Sequence, residues 1–158
     1  CTIVVTFTPT GTGSRTGAIV VAGNASNTPF TIALSGSASP PPLPVLELSV
    51  SSLSYGNRLI GAAGTTQSVT LRNAGGRPLT LAPLERLSEF PVANGCPTVV
   101  QAGQSCRIDV GFGPFVPGPR SARLEVRSDA SNGTQGVDLA GTGCRFNFLN
   151  RDYTLLCQ

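Results

Sequence analysis

Residues 106–143 read CRIDVGFGPFVPGPRSARLEVRSDASNGTQGVDLAGTG, and the fold follows from them. Cys106, Ile108, Val110 and Phe112 alternate with Arg107, Asp109 and Gly111, the pattern of a strand with one buried face. The Gly/Pro cluster 113–119 turns the chain. Ala122, Leu124 and Val126 then alternate with Arg123, Glu125 and Arg127 on a second strand. Asn132-Gly133 is a favoured tight-turn pair, after which Val137 and Leu139 begin a third strand. The charged positions face outward, where a solvated surface with weak cross-strand pairs is expected.

The same text occurs earlier. Residues 1–38 lie over residues 106–143 without a gap, a period of 105 positions. Cys1 falls on Cys106, Ile3 on Ile108, Val5 on Val110 and Phe7 on Phe112. Gly13 meets Gly118, Val21 meets Val126, Gly36 meets Gly141, and Ala25-Ser26-Asn27 recurs as Ala130-Ser131-Asn132. A period of this length corresponds to one immunoglobulin-like domain.

Upstream of the second copy lies the rest of a sandwich. Val45–Leu53 alternates as one strand through Leu46, Leu48 and Val50, and Tyr55-Gly56 closes it. Residues 66–72 contribute Val69 and Leu71, Asn73-Ala74-Gly75-Gly76 turns, and Leu79, Leu81, Phe90 and Val92 are further core candidates. The expected fold is all-β: tandem immunoglobulin-like β-sandwiches, the first incomplete, plus a short C-terminal hairpin. Its parts are the closing strands of a first module (1–38), a Pro-rich linker (39–44), a complete module (45–143) and an aromatic tail (144–158). About sixty residues that would supply the first module's early strands have no counterpart here. Three strands cannot close a sandwich, so a further segment, another chain or the tail is expected to cover them.

Composition agrees with many short strands. Hydrophobic residues reach 40% and charged residues only 12%, while 19 glycines and 13 prolines punctuate the chain. All eleven cations are arginine, as a GC-rich bacterial genome would encode. A net charge of +3 spread over separate strands is no nucleic-acid footprint. No run of about 18 apolar residues appears, so no membrane-spanning helix is expected.

The order C-x-I-x-V-x-F-x-P, a Gly-rich turn, then strands ending L-x-G-x-(A/G) resembles the Hydin-like (ASH) class of immunoglobulin-like domains, known from bacterial surface proteins of the choice-of-anchor D type. Residues 65–75 (TTQSVTLRNAG) resemble that family's second strand and turn, and residues 88–92 (SEFPV) the segment before its first cysteine. The resemblance covers the second module throughout but only the last third of the first. It implies a spacer, adhesion or assembly module with no family-wide catalytic residues. The last 15 residues depart from it.

Five cysteines leave one odd. Cys96 and Cys106 bracket a hairpin, and a disulfide across it is worth about 2–3 kcal/mol by loop entropy. Cys144 and Cys157 bracket another. With Asn150-Arg151 at its tip, Phe148 faces Tyr153, Phe146 faces Leu155, and Cys144 faces Cys157. Cys1 is then unpaired or bonded to another chain. Paired cysteines point to an oxidising compartment, extracellular, surface or periplasmic. Metal ligation would want CxxC spacing or histidines, and neither is present. The aromatic tail caps its own module or adds to the incomplete module of a neighbour, for which Phe146, Phe148, Tyr153 and Leu155 are the candidate assembly residues.

Catalysis has little to work with: no histidine, eight scattered carboxylates, and thiols committed to bonds. No enzyme, cofactor or metal is therefore expected. The foremost expectation is a structural or adhesive module of a secreted or cell-surface bacterial protein. The second is a subunit of an extracellular filament assembled head-to-tail by strand complementation, its partner a copy of itself or the missing half of the first module. The third is a glycan-binding module, for which only loop residues such as Asn94, Arg120 and Asn132 are on offer.

Overall fold

The computed structural model describes residues 2–24, 26–62, 64–147 and 155–158. Among them are strands, turns and loops but no helix. The chain divides into two compact units, Cys1–Pro41 and Pro42–Gln158.

The first unit is a single antiparallel hairpin of β1 (Gly13–Val21) and β2 (Phe30–Ala38). The strand expected over Ile3, Val5 and Phe7 is absent: residues 2–9 form no strand. The equivalent strand of the second unit pairs along both edges, with Thr65–Arg72 on one side and Val92–Asn94 on the other. No such partners occur among the described residues of the first unit, and a segment without a ladder leaves its N–H and C=O groups to water.

The second unit holds β3 (Leu46–Leu48), β4 (Ser52–Leu59), β5 (Thr65–Asn73), β6 (Leu79–Thr80), β7 (Val92–Asn94), β8 (Val99–Val100), β9 (Ser105–Phe112), β10 (Gly118–Val126), β11 (Gln135–Phe146) and β12 (Leu155–Leu156). One sheet has the order β3-β5-β9-β7. In the other, β11 lies between antiparallel β10 and parallel β4, and its far end pairs with β12. A small ribbon of β6 and β8 closes one side. Alternation decides what lies between the sheets. Val69, Leu71, Ile108, Val110 and Phe112 face Leu53, Tyr55, Leu124, Val126 and Leu139, all buried. Each such side chain contributes about 1.5–3 kcal/mol by leaving water.

The two hairpins of the chain are the same object. β1–β2 pairs Gly13 with Ala38 through Val21 with Phe30; β10–β11 pairs Gly118 with Gly143 through Val126 with Gln135. Adding 105 to every member of the first register gives the second. Gly13 and Gly118 even share a φ of 101°, a left-handed conformation that a glycine adopts without strain.

The segment Val45–Leu53 is not one strand. It pairs with β5 as far as Ser49, whose N–H donates to Thr70 O and whose hydroxyl accepts from Thr70 N. It then crosses between sheets, and Ser51 O accepts from Asp138 N to start the parallel pairing of β4 with β11. Val50 sits at the crossing and is exposed. Nor does the strand end at Tyr55-Gly56. There β4 bulges, two residues opposing the single Gly141, and Gly56 takes a φ of 61°.

Two asparagines fasten the ends of the sandwich. Buried Asn73 donates through Nδ2 to Arg77 O and Val100 O and accepts from Gly75 N. Asn132 reaches the outer edge of β3, where its Oδ1 accepts from Leu46 N and its Nδ2 donates to Leu46 O.

Candidate interaction surface

Disulfides join Cys96 to Cys106 and Cys144 to Cys157. β12 pairs Leu155 with Phe146 and Leu156 with Arg145, immediately beside the second bond. Phe146 and Leu155 are both well exposed. Cys1, Phe148, Tyr153 and the tip Asn150-Arg151 lie outside the described residues.

The polar groups are turned to structural use. Asp109 accepts from Ser68 Oγ and from Arg107, which together hold its carboxyl below the usual range. Arg123 pairs with Asp138, Arg127 with Glu85 and Glu125, and Arg72 with Glu47. No cluster of three His, Cys, Asp or Glu that would hold a metal occurs among the described residues. No helix there is long and apolar enough to cross a membrane. Of the residues open to a glycan reading, expected in loops, Asn94 ends β7 and Arg120 lies on β10, and all three carry hydrogen bonds of the fold. Asn94 Oδ1 accepts from Cys96 N, Asn132 clamps Leu46, and Arg120 pairs with Glu89.

Glu89 was missed in the sequence. It is buried, accepts from Phe115 N and Arg120 Nε, and its own carbonyl accepts from Gly113 N, so one residue fastens both ends of the turn 113–115. Burial alone would raise its carboxyl pKa; the Phe115 N–H, then the Arg120 hydrogen bond and charge, outweigh that and lower it. Only the acidic residue before Phe90 and the first of the two arginines of β10 hinted at the pair.

The surface that stands out is apolar and belongs to the first unit. Phe112, Val110 and Val137 are 0% exposed in the second unit, whereas their repeat counterparts Phe7, Val5 and Ile32 are 50%, 52% and 40% exposed. Positions buried in one copy of the repeat are open to solvent in the other. The outer face has changed as well: Asp109, Arg123, Glu125, Arg127 and Asp138 are replaced by Val4, Ala18, Val20, Ala22 and Ala33. A hollow of about 390 Å³ opens in this unit among Val5, Phe7, Arg15, Gly17, Leu34 and Gly36. The ring of Phe7 lies over Gly36, where an added β-carbon would stand 3.0 Å from it, just as Phe112 lies over Gly141.

No protein-family model and no curated protein matches the chain. Solved structures do. A Porphyromonas gingivalis protein of unknown function shares 16% identity over 84% of this chain and 66% of its own, with a TM-score of 0.55. The ASH/PapD-like domain 7 of human CEP192 shares 14% identity over 70% of this chain and 92% of its own, with a TM-score of 0.54. VesB protease of Vibrio cholerae shares 19% identity over 62% of this chain at a TM-score of 0.49, and the secreted serine protease VesC of the same organism shares 18% over 65% at 0.49. This chain spans only 31% of VesB and 24% of VesC. The expectation that the chain is no enzyme is corrected by that finding, since structures similar to it include two proteases; at such identity the likeness transfers no catalytic residue. The fold of the second unit is an ASH-like, immunoglobulin-like β-sandwich.

Proposed function

We propose that the chain is a structural module of a secreted or cell-surface protein, in which the second unit is a complete immunoglobulin-like sandwich and the first is the closing part of another. The observation that carries this reading is the identical register of β1–β2 and β10–β11, with the core face covered in one unit and bare in the other. Exposed apolar faces of this kind mark interaction sites. Two disulfides support an oxidising compartment, and the resemblance to choice-of-anchor D proteins supports the cell surface. As for the tail, Leu155-Leu156 pairs with β11 of its own chain and Cys157 is bonded to Cys144, which supports a cap on the second unit over a strand donated to a neighbour.

Hydrogen exchange on the dilute full chain tests the proposal. Residues 13–38 should exchange far faster than 118–143 despite equal ladders, and an apolar dye should bind the first unit. Equal protection of the two hairpins in a monomer would defeat it.

A further inference from the structure

We infer that the first unit is completed by a parallel strand carrying leucine, then two residues on an aromatic followed by glycine, laid along the free edge of β2. The inference rests on the half-sandwich reading above and names the partner's chemistry. The second unit displays the occupant of the equivalent surface. There β4 runs parallel to β11, with Ser52 beside Asp138, Leu53 beside Leu139, Ser54 beside Ala140 and Asn57 beside Thr142. Subtracting 105 places the same strand beside Ala33, Leu34, Ser35 and Ser37, on an edge of β2 that has no partner strand among the described residues.

The side chains agree with the backbone. Tyr55 of β4 sets its ring 5.6 Å from that of Phe112 and donates from its hydroxyl to Val110 O at 2.6 Å. The positions that receive it are Phe7 and Val5 in the first unit, and both line the 390 Å³ hollow. Gly36 repeats Gly141, the residue opposite the Tyr55-Gly56 bulge. Ala33 repeats Asp138, whose N–H points away from β10 to bond Ser51 O. Main-chain bonds along an exposed sheet edge and pockets for alternate side chains are the basis of strand addition.

A fluorescent peptide of residues 50–61, titrated into the full chain with hydrogen exchange read in parallel, tests this. Binding should protect residues 31–38 and displace the apolar dye. The peptide bearing Tyr55→Ala should bind roughly tenfold more weakly or worse, as loss of a buried aromatic anchor does. The chain variant Ala33→Pro removes one outward N–H at an edge, where proline is tolerated, and should also weaken binding. A fast-exchanging, dye-binding first unit that ignores the peptide overturns the strand inference and leaves the half-sandwich standing. A first unit already protected in the monomer overturns both. Protection that appears only with a doubling of mass assigns the surface to a second copy and overturns the inference.

Discussion

The ring of Phe112 lies so close over the α-carbon of Gly141 that a β-carbon there would collide with it. Phe112 is fully buried and boxed in, its centroid 4.9 Å from Phe90 and 5.6 Å from Tyr55, so it has nowhere to retreat. Gly141→Ala should therefore cost about 1–3 kcal/mol, the range for overpacking a filled core. The repeat supplies the control: Phe7 over Gly36 is half exposed and free to swing aside, so Gly36→Ala should change stability by less than about 0.5 kcal/mol. Urea unfolding followed by far-ultraviolet circular dichroism compares the two.

A second contrast concerns charge. Val137→Arg should unfold the second unit, because it places an unpaired cation in a fully buried position. Ile32→Arg, at the same place in the repeat, should leave the unfolding midpoint of the second unit unchanged. Circular dichroism during denaturation reads both.

Tyr55 is pushed up to about 12 by burial, from an ordinary value of 10.0. A phenol whose folded pKa is raised contributes stability that is complete below the unfolded value and is lost as pH rises through the folded one. Stability should accordingly fall between pH 10 and about 12. Tyr55→Phe should remove that step and, by leaving Val110 O without its donor, cost about 1–2 kcal/mol at neutral pH. Alkaline titration of the two chains side by side makes the comparison.

Glu89 behaves in the opposite sense. Its carboxyl is held below its ordinary 4.5, so its contribution is present above that value and disappears as pH falls through the lowered one. Glu89→Gln keeps the shape but strands Arg120, whose side chain is 36% exposed and so partly rehydrated. The expected loss is about 1–3 kcal/mol at pH 7. It should shrink in acid, which unfolding at pH 7 and at pH 3 would reveal.

The parts of this fold that the sequence made legible are those governed by period-two alternation. Ile108, Val110, Phe112, Leu124, Val126, Val137 and Leu139 all face inward as their spacing implies. The misreadings occur where alternation continues through an event it cannot encode. Leu46, Leu48 and Val50 keep the beat while the chain changes sheets at Ser49–Ser51. Tyr55-Gly56 looks like a strand end because a left-handed glycine is the usual terminator, and here it forms a bulge within the strand. Ile3, Val5 and Phe7 have a strand's pattern without a strand's neighbours, and pairing is a property of two segments, not one. Glu89 and Arg120 are 31 residues apart, and no periodicity links them.

Asn132 adds a consequence at the scale of assembly. Its carboxamide imitates a strand residue and seals the Leu46 step of an otherwise open sheet margin. While that carboxamide holds Leu46, a strand from another copy cannot pair with it there, which guards the margin against edge-to-edge association. The first unit carries the same stopper letter at Asn27, and β3 has no counterpart among its described residues. A strand laid beside Asn27 in the place that β3 takes beside Asn132 would be sealed by that carboxamide in the same way.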